Sequence, residues 1–316
     1  MMNGAVWAPL QALSGRRGRN DLNPRVESAR EATYPRPYPE GWYVVGRSTD
    51  IRGRPTFVQC VGNQWVVFRD ASGTARVVDA YCPHLGANLA DGKVRGDCVE
   101  CPFHGWKIRG DGRVVGQASG ERPDPRHRTR SWVVEELHGW VLVYHRHGAS
   151  VDGPTPEPPY RLQRMPEIDD GDLVWRGEHD AGLVHMHLLE FRGKAITGSG
   201  AHADVRIEGP GSFIRFDFTL TRGRGRVVLY QSHTPISPMT QHVRFRWFSG
   251  RNVPKPLASF IVGNWVSQWC QDIGIWERKI YRKNPMLTRA DGPIHQLRRW
   301  YAQFYPAASQ SAERPE

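Results

Sequence analysis

The sequence predicts a mainly β protein of the α+β class, built from two units. Short segments rich in β-branched and aromatic residues run from Gly41 to Tyr144 between turn residues, as an all-β unit requires. Alternating segments from Leu173 to Gly250 predict an antiparallel sheet with one covered face. From Pro256 to Tyr281 apolar residues recur every three or four positions, which predicts a long amphipathic helix that covers this sheet.

The individual elements follow in chain order. Predicted strands of the first unit span residues 41–48, 56–62, 64–70, 75–81, 97–102, 112–117, 131–137 and 139–145. Those of the second unit span residues 173–177, 182–191, 203–209, 212–220, 226–234 and 242–250. Pro285 lies beyond the long helix as a stop signal, and residues 294–305 predict a second, shorter helix.

Composition divides the chain into five predicted parts. We expect a disordered basic arm over residues 1–32, the first unit over 33–147 and a Pro/Gly-rich linker over 148–159. The second unit then covers residues 160–306, and a disordered polar tail covers 307–316.

Bulk properties limit the possible environment and partners. No apolar run approaches the roughly 18 residues of a membrane helix. The five cysteines are an odd number, and no signal-peptide cleavage site is evident, so we expect a reducing cytoplasm. The net charge of +11 has two readings, an Arg-rich coding bias or a basic surface that steers an acidic partner. No nucleic-acid-binding motif accompanies it, so we expect no nucleic-acid partner.

One motif in the first unit carries chemistry. Cys82-x-His84 is followed, after sixteen residues, by Cys101-x-x-His104. Two thiolates suit one ferric ion, and two neutral imidazoles suit the other, in a Rieske-type [2Fe–2S] cluster. Replacing two Cys ligands by two His raises the potential to about −150 to +300 mV. The motif therefore predicts one-electron transfer.

The residues around the motif suit two facing loops. A proline follows each cysteine, and Gly86 and Gly105 allow tight turns that direct backbone N–H groups at sulfur. We expect Phe103 and Trp106 to shield the cluster. The remaining cysteines have apolar or aromatic neighbours, which predicts buried thiols rather than ligands at Cys60, Cys98 and Cys270.

A zinc site is the alternative reading of the same four residues. Zinc knuckles usually pair Cys with Cys and His with His. Here each half of the motif supplies one Cys and one His, as a two-iron cluster requires. The pattern therefore favours the cluster.

With these residues the chain resembles the Rieske oxygenases, and most closely the cholesterol 7-desaturase branch near the 3-ketosteroid 9α-hydroxylases. The similar stretches lie between Tyr34 and Pro306 and are YPRPYPEGWYVVG, DAYCPHLGANLADGKVRGDCVECPFHGWKIRGDG, RTRSWVVEELHGWVLVYH, QDIGIWERKIY and DGPIHQLRRWYAQFYP. The resemblance implies an N-terminal Rieske domain followed by a helix-grip domain, here shortened. It also implies mononuclear non-haem iron, molecular oxygen, NAD(P)H electrons through a ferredoxin or flavin reductase, a sterol-like apolar substrate and a trimer.

The chain departs from the family in the second unit. The resemblance places the mononuclear iron on a motif of the form Asn-x-x-Asp-x-x-His-x₄-His plus a carboxylate, and this motif is not present in the sequence. Asp272 matches the carboxylate position. His185 and His187, two apart in a predicted strand, could complete a triad with it, and His202 is a further candidate. The alternative is that these histidines are polar surface residues and that Asp272 pairs with Arg278 or Lys279.

Three functional hypotheses follow. The first is a Rieske monooxygenase or desaturase that hydroxylates or desaturates a sterol-like substrate. The second is an electron-transfer or partner subunit that lacks its own mononuclear iron and acts with an intact homologous oxygenase. The third is a gene product without turnover.

Overall fold

The structure is a computed structural model, described over residues 24–149, 151, 156–186, 196–197, 201–210, 214–220, 225–288, 291 and 294–306. Within these residues the first unit holds three antiparallel sheets, and their strands confirm its all-β class. Their orders are β1-β11-β10, β2-β3-β4-β9 and β5-β6-β7-β8. The strands are β1 (Gly41–Arg47), β2 (Thr56–Cys60), β3 (Asn63–Arg69), β4 (Ala75–Asp79), β5 (Lys93–Arg95), β6 (Cys98–Glu100), β7 (Lys107–Arg109), β8 (Val114–Gly116), β9 (Ser131–Trp132), β10 (Val134–Leu137) and β11 (Trp140–His145).

The second unit is a six-stranded antiparallel sheet in the order β12-β17-β16-β15-β14-β13. Its strands are β12 (Leu173–Val184), β13 (Ile196–Thr197), β14 (Ala201–Ile207), β15 (Ile214–Leu220), β16 (Arg226–Ser237) and β17 (Thr240–Gly250). The α-helices in the described part of the chain are α1 (Pro24–Glu31), α2 (Pro166–Asp169), α3 (Lys255–Trp276) and α4 (Ile294–Ala302). As predicted, α3 packs its apolar side chains on this sheet, with Val262, Val266 and Trp269 buried.

The prediction of two separate strands at 173–177 and 182–191 is wrong. Residues 173–184 form the single strand β12, which pairs with β17 and carries two irregularities in register. Charged residues between the apolar ends hid this continuity, because Glu178 pairs with Arg246, and Asp180 with His242, across to β17. The strand ends at Val184, so His185 lies beyond it.

The prediction of a disordered arm over residues 1–32 is wrong from Pro24 onward, where α1 begins; residues 1–23 lie outside the described part. Arg30 at the end of α1 is buried and donates to the carbonyl oxygens of Trp276 and Lys279, each at 2.5 Å. These bonds satisfy carbonyls at the C-terminus of α3. The long helix accordingly ends at Trp276 and not at the predicted Tyr281. The predicted tail, residues 307–316, also lies outside the described part.

The two units share a core. Trp42 and Val44 of β1 pack in one apolar cluster with Tyr230 of β16 and Phe248 of β17. Thr234 donates to the carbonyl of Val44 at 2.8 Å. Tyr301 of α4 is buried in the core of the first unit, so the end of the chain also joins the two units. Among the described residues, no helix is both long and apolar enough to cross a membrane.

His138 is buried in the turn between β10 and β11, where this shared core is formed. Its ring packs on Tyr230 with centroids 5.0 Å apart, and neither ring nitrogen has a hydrogen-bond partner. Burial lowers the pKa of His138 to about 4. The folded chain therefore keeps this imidazole neutral at a pH where the unfolded chain has already taken up a proton.

We predict that this histidine weakens the fold as pH falls. Because the folded pKa lies below the unfolded value of about 6.5, the free energy of unfolding decreases from pH 6.5 toward 4. Between pH 7.5 and 5.5 the His138 contribution is about 1 kcal/mol. Urea unfolding at both pH values should show a smaller pH-dependent loss in His138→Asn than in the native chain. His295→Asn, at an exposed position in α4, is the control that keeps the native loss; an equal loss in His138→Asn would contradict the prediction.

Candidate metal centre

Two loops of the first unit repeat one backbone arrangement. The Cys82 N–H donates to the carbonyl of Ala87 at 2.9 Å, and the Cys101 N–H donates to that of Trp106 at 2.8 Å. In each loop the glycine four residues after the cysteine donates back to the cysteine carbonyl, at 2.9 and 3.1 Å. The two loops therefore present Cys and His side chains from nearly equivalent positions.

The glycines are required by this turn. Gly86 has φ +75° and Gly105 has φ +63°, in the left-handed region that other residues rarely adopt. A Cβ on Gly86 would meet nothing within 4 Å, whereas one on Gly105 would lie 3.0 Å from the Cβ of Ala118. The first loop therefore needs glycine for its φ angle alone, and the second needs it for space as well.

The two loops place their thiols side by side. Cys82 and Cys101 are buried, at 3% and 4% exposure, on a core of β3 and β4 side chains. Burial dominates the pKa of the Cys82 thiol; the backbone N–H groups of His84 and Leu85 act to lower it, and the neighbouring Cys101 thiol acts to raise it. Burial nevertheless raises the pKa of the Cys82 thiol to about 11. This thiolate thus needs a further positive charge, which a bound ferric ion supplies.

The imidazoles lie together at the outer edge of the loops. The rings of His84 and His104 have centroids 4.8 Å apart. His84 is exposed and stacks on Trp106 at 4.6 Å with an interplanar angle of 5°. The Nδ1 atom of His104 is buried and has no hydrogen-bond partner. An unpartnered buried nitrogen is costly unless it binds a metal or another donor.

The arrangement suits two metal ions better than one. Four ligands of a single zinc would surround a common point. A [2Fe–2S] cluster requires only one thiolate pair and one imidazole pair, and these are the pairs that the loops present. The residues present therefore fit this cluster.

The surroundings of the pairs match the sequence expectation in part. Trp106 is buried as predicted, but Phe103 is 62% exposed and covers only one face of the His104 ring, 3.8 Å away. His127, which the sequence did not single out, stacks on Trp106 at 5.1 Å. No spacing rule connects His127 to the motif, because β7, β8 and a loop separate them. Cys60 and Cys98 are buried, and Cys270 is half-buried, all as free thiols.

The second candidate site, on His185, His187 and Asp272, is not assembled in the described part. His187 lies outside the described residues. The argument that two strand histidines share a face fails for His185, because β12 ends at Val184. Asp272 is half-buried on α3 and makes no ion pair with a described residue, so its predicted pairing with Arg278 or Lys279 is absent there.

The sheet register also separates His202 from His185. His202 lies on β14 opposite Thr219, and β14 is four strands away from β12 in the sheet order. Four strand spacings amount to about 19 Å. Thr219 aligns with Arg226 of β16, near the row of Leu173 at the start of β12 and not near Val184 at its end. In the backbone register, His202 therefore lies four strands away from β12 and toward the opposite end of the sheet from Val184.

Comparison with known families agrees with these two units. A Rieske [2Fe-2S] domain model matches residues 41–165, and a 3-Ketosteroid 9alpha-hydroxylase C-terminal domain model matches residues 179–305. The chain also superposes on dicamba monooxygenase bound to dicamba with a TM-score of 0.65, at 17% identity, over 86% of this chain and 98% of that one. At this identity the likeness concerns the fold alone.

Two relatives are more similar in sequence. A probable 3-ketosteroid-9-alpha-monooxygenase oxygenase component of Rhodococcus rhodochrous is 31% identical, over 91% of this chain and 85% of the relative. The cholesterol 7-desaturase nvd of Xenopus laevis is also 31% identical, over 85% of this chain and 72% of the relative. The first alignment spans 352 positions, but 91% of 316 residues is about 288, so about 64 positions hold no residue of this chain. The chain belongs to the Rieske oxygenases, oxidoreductases whose family includes the 3-ketosteroid 9α-monooxygenase oxygenase components and the cholesterol 7-desaturases.

Proposed function

We propose that this chain transfers single electrons through a [2Fe–2S] cluster that Cys82 and Cys101 bind at one iron and His84 and His104 at the other. The observation that supports this most directly is the repeated loop. Two independent turns bring two buried thiols into one core cluster and two imidazole centroids to 4.8 Å from each other. When bound, such a cluster accepts and releases one electron at about −150 to +300 mV.

The residues of the chain have distinct roles in this proposal. The N–H groups of His84 and Leu85 stabilise negative charge on the Cys82 sulfur, which favours the reduced form and raises the potential. Trp106, buried between His84 and His127, keeps water from one side of the imidazole pair. The exposed ring of His84 gives an electron a short route to or from a partner.

We extend the proposal to an oxygenase-type reaction on a sterol-like or polycyclic apolar substrate, by hydroxylation or desaturation. The names of the two relatives support this class of substrate. Electrons would come from NAD(P)H through a ferredoxin or flavin reductase, in the cytoplasm, with the chain in a homo- or hetero-oligomer such as a trimer.

A second candidate function is supported by the missing ligand motif. No two histidines after residue 160 are five positions apart, as His-x₄-His requires. About 64 alignment positions of the oxygenase component also have no counterpart in this chain. In this second function the chain keeps the [2Fe–2S] cluster and delivers its electron to the mononuclear iron of an intact homologous oxygenase.

Loss of one proposed ligand should prevent cluster assembly. We expect Cys82→Ala and His104→Ala to show none of the visible absorbance and low-temperature EPR of a reduced Rieske cluster, because the iron that loses its ligand would keep a single protein ligand. Cys98→Ala is the matched control. Cys98 is a buried thiol on β6, three residues before Cys101, and its removal should leave the cluster spectrum unchanged. A native spectrum in Cys82→Ala or His104→Ala would rule out that residue as a ligand.

The two glycines should differ in their effect on the loops. Gly86→Ala forces alanine into the left-handed region, which costs about 1–2 kcal/mol. Gly105→Ala has the same cost and an additional contact at 3.0 Å with Ala118, so we expect a lower melting temperature and lower iron content than in Gly86→Ala. Gly73→Ala, with φ +81° and nothing within 4 Å, is a control outside the loops that should keep full iron content. Equal iron content in Gly105→Ala and Gly73→Ala would contradict this account of the second loop.

The number of bound irons separates the two functions. About two irons per two acid-labile sulfides after anaerobic reconstitution is the result expected of the second function, because a chain without the two-histidine motif would hold the cluster irons alone. About three irons per two sulfides would instead indicate a mononuclear site in this chain. In that case His187→Ala and Asp272→Asn should each return the ratio to two irons, and turnover of a steroid with oxygen and a reductase should disappear with it.

A further inference from the structure

The small sheet that carries the second cluster loop has one strongly basic face. In the register of β5, β6 and β7, Lys93 lies opposite Glu100 and Glu100 opposite Lys107. In the next row, Arg95 lies opposite Cys98 and Cys98 opposite Arg109. Residues two apart in a strand share a face, so Lys93, Arg95, Lys107 and Arg109 project on the same side. We call these four residues the basic face.

The other side of this sheet is core. Val99 and Ile108 are fully buried, and Val94 packs partly against the same cluster. The alternation therefore fixes the outward direction of the cations. Because the core lies on one side of the sheet, the side chains of the basic face point away from that core.

Most of the charge on this face is not neutralised. Lys93, Arg95 and Lys107 are exposed, and none of them makes an ion pair with a described residue. Arg109 alone pairs with a carboxylate, that of Asp111. Glu100 is half-buried between the two lysines in the sheet. Unpaired cations next to one another repel. An anionic surface that binds there lowers this repulsive energy, so the basic face favours an anionic partner.

A groove extends the basic face toward the β1–β2 connection. It has a volume of about 640 Å³, and its lining includes Arg54, Asp91, Lys93 and Arg95. Arg54 contributes a further exposed cation, without an ion pair to any described residue, against the single carboxylate of Asp91. The concave shape allows a protruding acidic loop to contact Arg54, Lys93 and Arg95 together.

The position of the face connects it to the cluster. Glu100 directly precedes Cys101, and Lys107 directly follows Trp106, so the loop 101–106 joins β6 to β7, the strand that carries Lys107 and Arg109. We infer that the basic face and the adjoining groove bind an acidic electron-donor protein, which reduces the [2Fe–2S] cluster through this loop. This inference rests on the proposed function. One electron leaves the reduced donor, which is oxidised, and enters the cluster, and no bond or proton changes place.

Two other occupants fit less well. Nucleic-acid surfaces combine cations with exposed aromatic side chains, and no aromatic residue lies on the outward rows of β5, β6 and β7. The carboxylates of Asp91 and Glu100 would also repel phosphates. The tip of the loops is a different surface, where Leu85 and Phe103 are 66% and 62% exposed. An acidic partner gains nothing from that apolar tip, whereas it gains charge pairs on the basic face.

Charge reversal on the reconstituted full chain tests the inference. The donor is a plant-type [2Fe–2S] ferredoxin of strongly negative net charge, kept reduced by NADPH and its own reductase. Stopped-flow absorbance gives the second-order rate of reduction, and fluorescence anisotropy gives the affinity for labelled, oxidised ferredoxin. We expect the triple variant Lys93→Glu/Arg95→Glu/Lys107→Glu to be reduced at least about tenfold more slowly at low ionic strength and to lose the salt dependence of the native rate. Its ferredoxin affinity should fall in parallel.

The control changes the net charge equally at another surface. Arg282→Glu/Lys283→Glu/Arg299→Glu replaces three exposed cations near α4 and should keep a near-native rate and affinity. Dithionite should reduce all three proteins alike, because it needs no docking surface.

A cluster that is missing even in the native chain would refute the proposed function. An intact cluster with equal rates in both triple variants, or no reduction of the native chain by ferredoxin, would refute the docking inference alone. Binding of a labelled DNA duplex that disappears only in the basic-face variant, with unchanged reduction, would refute it too.

Discussion

The turn that joins each cysteine amide to the carbonyl five residues later is the constraint on which the centre depends. It closes both loops with the same pair of backbone hydrogen bonds and needs a left-handed glycine in each. Because the turns are equivalent, sulfur meets sulfur in the core, and imidazole meets imidazole at the surface. The asymmetry that a two-iron cluster requires thus arises from burial depth within two similar loops.

The parts of the centre that the sequence predicted are those encoded within a few residues. Cys82, His84, Cys101 and His104 have a spacing whose chemistry is specific, and the glycines follow from turn geometry. By contrast, β5 and β7 were missed, because each is a three-residue strand with charged residues at both ends. The stack of His127 on Trp106 depends on tertiary folding and has no local signature. In β12, ion pairs to β17 replaced the apolar alternation that marks a strand.

The second unit keeps its sheet without the family's two-histidine motif, because the residues that stabilise the sheet do not belong to that motif. The sheet depends on a continuous core beneath α3, on pairing along β12, β16 and β17, and on the apolar cluster shared with β1. None of these contacts involves an Asp-x-x-His-x₄-His segment. A chain can therefore lose the ligands of the mononuclear iron and keep the helix-grip architecture, so the fold of this unit is weak evidence for its catalysis.

The cluster loops separate two surfaces of opposite character. At the tip, His84 is exposed among the apolar side chains of Leu85 and Phe103, which favour contact with a surface that also excludes water. At the base, the cations of β5 and β7 favour an anionic surface, and Lys107 directly follows the loop 101–106. Because one surface gains by desolvation and the other by charge, the same partner is poorly suited to both. A centre built in this way can receive an electron at its basic side and release it at its apolar tip without exchanging partners.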